Sequence, residues 1–221
     1  MATPRTATTR SLAAKAVVAP PSLWDPVVRL THWGIAVAIL VNALLSDGGS
    51  LIHVSLGWLA MALLLMRLVW GVLGPAEARF SAFPPNPVAA VRHMSQLLTG
   101  RVDHYPSHNP AGAMMAYVFW AGLTVVIASG LYLTGGATPM QVAAEKAAVA
   151  SGDWSALIKD SDGESSDDED KNLRHTVEEV HEVAANLLLF LAALHVAGVF
   201  VESRAMRRNL VKPMVLGDRR K

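Results

Sequence analysis

Residues 180–201 read VHEVAANLLLFLAALHVAGVFV, a run that is almost wholly apolar apart from His181 and His195. A helix over this stretch spans a bilayer. The two histidines are fourteen residues apart, which is four turns less about 40°, so both imidazoles share one face. At about 1.5 Å per residue they lie roughly 21 Å apart along the axis, one near each membrane surface. An ionisable side chain left unpaired in lipid is costly, so each one inside a span is a functional candidate by default. Two on one stripe at opposite depths point to two stacked sites, and each needs a partner from elsewhere in the chain.

Composition agrees with a membrane protein. Of the 221 residues 52% are hydrophobic and only 17% charged, with a mean hydropathy of +0.33; soluble domains carry about 25% charged residues. The net charge of +1 makes no case for a nucleic-acid partner, and none is expected. There is no cysteine. That excludes disulfides, thiolate catalysis and cysteine-held iron–sulfur clusters, and leaves histidine as the main soft ligand. Haem, copper or a quinone site stay open at this point.

Four segments have the ~20 residues needed to cross the hydrocarbon core: about 27–45, 51–73, 111–133 and 177–201. Backbone groups in lipid must be bonded within the segment, so these are expected to be helices. Asp47-Gly48-Gly49-Ser50 is a tight turn, Gly74-Pro75 a stop and Asn109-Pro110 a helix start. Residues 1–22 lack an apolar core of signal-peptide length and are expected to form a disordered tail. The membrane domain is then 23–215, followed by a basic tail at 216–221. The 74–110 connection holds Pro84-Pro85-Asn86-Pro87 and an amphipathic helix around Val88–Leu98. The 134–176 connection holds an acidic tract at 160–170, expected to be mobile. No internal repeat is visible.

Lysine and arginine cluster in the N-terminal tail, the 74–110 connection and the C-terminal tail. The turn after the first span has none, and acids outnumber them in 134–176. Both termini are therefore expected in the cytoplasm. Depth then sorts four histidines into two levels, His53 with His181 outside and His32 with His195 inside. Two axial imidazoles facing across a helical bundle are what a low-spin b-type haem requires. Gly57, Ala36, Ala184, Ala185, Ala192 and Gly198 stand one turn from these histidines and leave room for a flat ring. Such small residues also serve as plain helix contacts, and a lone histidine at a helix start also caps or snorkels. Zinc or copper fits less well, because two ligands per level leave the site incomplete.

The chain resembles the bacterial cytochrome b561 and Ni-hydrogenase b-type cytochrome family. The likeness lies in Arg29-Leu30-Thr31-His32-Trp33, in Ile52-His53-Val54-Ser55-Leu56-Gly57-Trp58 through Met66-Arg67-Leu68, in His108-Asn109-Pro110-Ala111-Gly112, and in His181-Glu182-Val183-Ala184-Ala185-Asn186 through Leu194-His195-Val196-Ala197-Gly198. It covers about residues 23–215. It implies an all-α membrane protein, a four-transmembrane-helix bundle holding two b haems (iron-protoporphyrin IX). The implied axial ligands match His32, His53, His181 and His195, with none from the third helix. No catalytic residue is assigned.

Arg67 is the one charge inside an otherwise apolar span, at the inner level. It is expected to neutralise a haem propionate; the alternative is snorkelling to the interface. Arg29 is a second candidate for that role. His108 is placed near a propionate, a quinone head group or in a structural role. His93, His104 and His175 are expected to be solvated, and Glu182 is interfacial or a proton relay. The acidic tract is either a solvated loop or a patch that steers a basic carrier.

The expected function is transmembrane electron transfer in the bacterial inner membrane. Electrons would pass between a periplasmic redox protein (a c-type cytochrome, a hydrogenase or another dehydrogenase) and quinone, with lipid as the surrounding partner. The alternative is superoxide oxidation at the outer haem coupled to quinone reduction, an activity known in the family. The acidic outward connections oppose an anionic substrate, although Lys171 and Arg174 could line an entrance.

Overall fold

The computed structural model describes residues 24–99, 105, 108–153 and 168–215. Within them the chain is helical, and each early helix begins where its sequence supplies a cap. α1 (Pro26–Leu45) starts on Asp25, whose carboxylate accepts from the amides of Val27 at 2.9 Å and Val28 at 3.2 Å. Proline suits the first helical position because its missing N–H would be orphaned there anyway. The same carboxylate accepts from Trp70 Nε1 at 2.9 Å, tying the start of α1 to the end of α2 (Leu51–Leu73). Gly49 at φ 69° makes the turn between them, a conformation that costs glycine little. Ser50 then caps α2 by accepting from the His53 amide.

α3 (Pro87–Leu98) is capped by Asn86, and α4 (Pro110–Leu133) by Asn109. α5 (Pro139–Ala150) opens with a reciprocal capping box between Thr138 and Gln141. α6 (Asp168–Ala205) is 38 residues long, and α7 (Lys212–Val215) is one short turn. Among the described residues four helices are long and apolar enough to cross a membrane: α1, α2, α4 and α6. The first three match the sequence reading to within a residue. α6 is much longer than the expected 177–201, because charged residues outside the bilayer are good helix formers and continue it.

The spans pack as two antiparallel hairpins, α1 against α2 and α4 against α6, which meet along α2–α4 and more sparsely along α1–α6. α3 lies on α4, and α5 lies on α2. The end bearing Pro26, Gly74, Pro110 and Ala205 is the lower end; the 46–50 turn and the start of α6 mark the upper end. At mid-height Leu64, Leu123 and Leu188 form a buried layer with Ile35, Ile39, Phe119 and Val126 around it. Leu188 is seven residues from both His181 and His195, so it fills the same stripe halfway between them. It fits because Gly122 has no side chain; a Cβ there would lie 2.8 Å from Leu188 Cδ2. The outer faces expose Val37, Leu65, Val69, Phe190, Val196 and Phe200. An apolar girdle of this size is expected of a surface facing lipid and not water.

Candidate cofactor sites

α1 and α6 carry the lower histidines, α2 and α6 the upper ones. His32 faces His195 with ring centroids 6.3 Å apart, and His53 faces His181 at 6.2 Å. The pairs are those that depth assigned. A metal–imidazole bond is about 2.0 Å and a ring nitrogen sits about 1.1 Å from its centroid, so two imidazoles sharing one iron have centroids about 6 Å apart. The observed spacings match that value. Direct hydrogen bonding between the rings would bring the centroids closer.

Other features fit a haem as well. The buried Nδ1 atoms of His32 and His53 have no hydrogen-bond partner among the described residues; buried polar atoms are seldom left so. No cluster of three or more potential metal-binding side chains occurs among the described residues. A Cβ built on Gly57 or Gly198 meets nothing within 4 Å, so space is open beside the histidine turns.

The third span holds a residue that the sequence reading passed over. Ser129 Oγ lies 2.9 Å from His181 Nδ1 and donates its own proton to Val125 O at 2.7 Å. With the hydroxyl proton on Val125 O, Oγ accepts from Nδ1–H and leaves Nε2 with the free lone pair; Val126 O lies 3.1 Å from the same hydroxyl. Such a partner fixes the tautomer and orientation of a metal-binding imidazole. Gly130 clears the way: a Cβ there would sit 3.2 Å from His181 Cε1. On the other ligand helix, Asn42 Nδ2 donates to His53 O at 3.2 Å, and Ser46 Oγ bonds Asn42 Oδ1 at 3.1 Å. No amphipathic period marks Ser129 as special; only a serine in an apolar span at histidine depth hints at it.

The lower pair sits in aromatic surroundings, with Trp33 edge-on to His32 and Phe119 edge-on to His195. Nearby, Arg67 is 4% exposed. Its guanidinium carbon lies 4.9 Å from the Trp120 ring centroid and 5.9 Å from those of Phe80 and Phe83. Nη2 donates to Ala78 O at 3.2 Å, while buried Nη1 has no partner among the described residues. Arg67 does not snorkel; it is a boxed cation with one unfilled donor. His108 packs between Trp24 (4.8 Å) and Phe83 (4.4 Å). Burial, then the charge of Arg67 and of the lower histidines, push its pKa down to about 4. It is a neutral imidazole at pH 7, so Arg67 supplies the positive charge beside it.

Several expectations are corrected. Arg29 is committed elsewhere: Nε donates to Met214 O at 3.2 Å and Nη2 to Val215 O at 2.7 Å, and Trp33 Nε1 joins them on Met214 O. It closes the end of α7. His93 is not solvated but 3% exposed, against Glu202. His175 is solvated, 72% exposed and 3.6 Å from Glu179; His104 lies outside the described residues. Glu182 is exposed. Arg174 Nη2 donates to Leu133 O at 3.0 Å, where it complements the C-terminus of α4. Residues 160–167 of the acidic tract lie outside the described residues, and 168–170 begin α6.

A bundle of apolar helices that pairs histidines face to face within its span defines the class of membrane b-type cytochromes. Residues 23–217 match the prokaryotic cytochrome b561 family, and the chain belongs to it. No curated protein and no solved structure matches the chain. Family and fold together make this a multi-pass bacterial membrane protein of b-type haem and electron transport.

Proposed function

We propose that the chain is a two-haem cytochrome b that carries electrons across the bacterial inner membrane. The observation that carries this reading is the 6.2–6.3 Å spacing of two histidine pairs stacked in one bundle. His53 and His181 would hold the upper haem b and His32 and His195 the lower. Bound there, each haem supplies a one-electron couple with no open coordination position for substrate. The chain supplies the rest. Ser129 orients His181, the Leu64–Leu123–Leu188 layer keeps water from the path between sites, and Arg67 neutralises a lower propionate through its unfilled Nη1.

The lower end, with both termini, faces the cytoplasm on this reading, in keeping with Arg92, Arg204, Arg207 and Arg208 there. The upper end faces the periplasm, where Asp168–Val180 of α6 project about 20 Å beyond the level of His181. A periplasmic redox protein (a c-type cytochrome, a hydrogenase or another dehydrogenase) meets that end, and membrane quinone exchanges electrons with the bundle.

Visible spectra of the purified protein, oxidised and dithionite-reduced with haem quantification, test the reading. Two b haems per chain are expected. A colourless protein overturns it, and a single haem overturns the stacked-pair arrangement.

A further inference from the structure

A second buried ionisable pair lies below the histidines. Glu202 is seven residues past His195 on α6, two turns less about 20°, so it lies on nearly the same face about 10 Å lower. Glu202 is 9% exposed and His93, from α3, is 3% exposed. His93 Nε2 stands 3.6 Å from Glu202 Oε1. That is too long for a hydrogen bond, and Nε2 has no other partner among the described residues. The second carboxylate oxygen is taken. Asn109 Oδ1 accepts from the Gly112 amide at 2.6 Å as the α4 cap, which turns its Nδ2 onto Glu202 Oε2. Three elements thus bury one carboxylate with one neutral donor and one imidazole.

Protonation decides the charge of this cluster. With His93 neutral and Glu202 ionised it is a buried net negative charge; one added proton, on either group, makes the pair neutral. Other ionisable groups at this end, among the described residues, include Arg67 on α2, Arg92 on α3, Tyr105 and His108 ahead of α4, Arg204, Arg207 and Arg208 at the end of α6, and, nearer α1 and α2, Asp25, Arg29, Glu77 and Arg79. Tyr105 stacks edge-on to His93 at 5.5 Å. Arg92 and Arg204 are exposed and screened by water.

We propose that His93 and Glu202 form a proton-loading pair coupled to electron arrival at the lower histidine site. The inference rests on the electron-transfer reading and adds where protons enter. An electron placed about 10 Å from the pair at an effective dielectric constant near 20 changes its proton affinity by about tenfold. Linkage makes the effect reciprocal, so one bound proton raises the lower site's electron affinity by about tenfold, or about 59 mV for a one-electron couple. The balance is one electron in and up to one proton taken from the solvent at the lower end.

Redox titration of the holoprotein from pH 5 to 9 tests this. The lower haem is identified as the one lost in His195→Ala. In the wild type its potential should fall with rising pH by about 59 mV in total across the pair's titration, whereas the upper haem, some 20 Å further away, should hardly move. Glu202→Gln should abolish the slope of the lower haem alone, and Glu202→Asp should restore it. A pH-independent lower potential in the wild type overturns the proposal, as does a slope that survives in Glu202→Gln. Should Glu202→Gln fail to fold, His93→Gln decides: an unchanged titration window overturns the pair, a displaced one upholds it. Two haems with a flat lower potential sink this proposal alone, while a haem-free protein sinks the electron-transfer reading with it.

Discussion

The two histidine pairs have almost the same spacing and quite different surroundings. The upper pair is held by neutral hydrogen bonds, Ser129 Oγ on the His181 ring and Asn42 on the His53 carbonyl. The lower pair is bordered by aromatic rings and has Arg67, buried in an aromatic box, near its neutral neighbour His108. Both pairs could hold the same cofactor, but their fields differ. A buried positive charge favours an added electron, and a low-dielectric site magnifies it. Arg67 should therefore raise the lower potential, against the lowering expected from Glu202 while the His93–Glu202 pair is unprotonated.

Removing ligands gives the largest effect. His53→Ala or His181→Ala should halve the haem content and keep the lower haem, and His32→Ala or His195→Ala should do the reverse, as read by haem quantification and difference spectra. Loss of both haems from each variant would mean that the pairs are not separate sites. Next in size is Arg67→Leu. The lower potential should drop with roughly a tenfold loss of electron affinity, about 59 mV, and the upper one should stay put. Equal shifts at both levels would erase the electrostatic contrast. The smallest change is Ser129→Ala, which leaves the charge pattern intact. Loss of such a partner typically weakens metal binding by about 10- to 100-fold, so haem retention under dilution should fall at the upper site only. If the lower haem were lost first, the assignment of Ser129 would be wrong.

Much of the fold was legible in the sequence because bilayer thickness and the helix repeat are one-dimensional constraints. Span boundaries followed from apolar runs punctuated by Gly74-Pro75 and Asn109-Pro110. The histidine pairing followed from depth alone. α5 was not anticipated, though its Thr138-Pro139-Met140-Gln141 start is a readable capping box. Its mixed composition simply failed to stand out beside the spans. The upper end of α6 was missed for a related reason: hydropathy finds where a helix enters lipid, not where it ends.

Side-chain partners were less legible. Arg29 and Arg67 look alike in the sequence, each a lone cation at a span's edge or interior, yet one closes the end of α7 and the other is sealed beneath Trp120. His93 resembled any loop-proximal histidine until α3 folded onto α4 and buried it against Glu202. The sequence by itself determined the number of spans, their depth registers and which histidines share a level, since a rise of about 1.5 Å per residue converts position into height. Only the tertiary structure decided which polar atoms meet, as Ser129 meets His181 and Glu202 meets His93. Those contacts depend on how each helix is rotated about its axis, and that rotation is set by packing between helices.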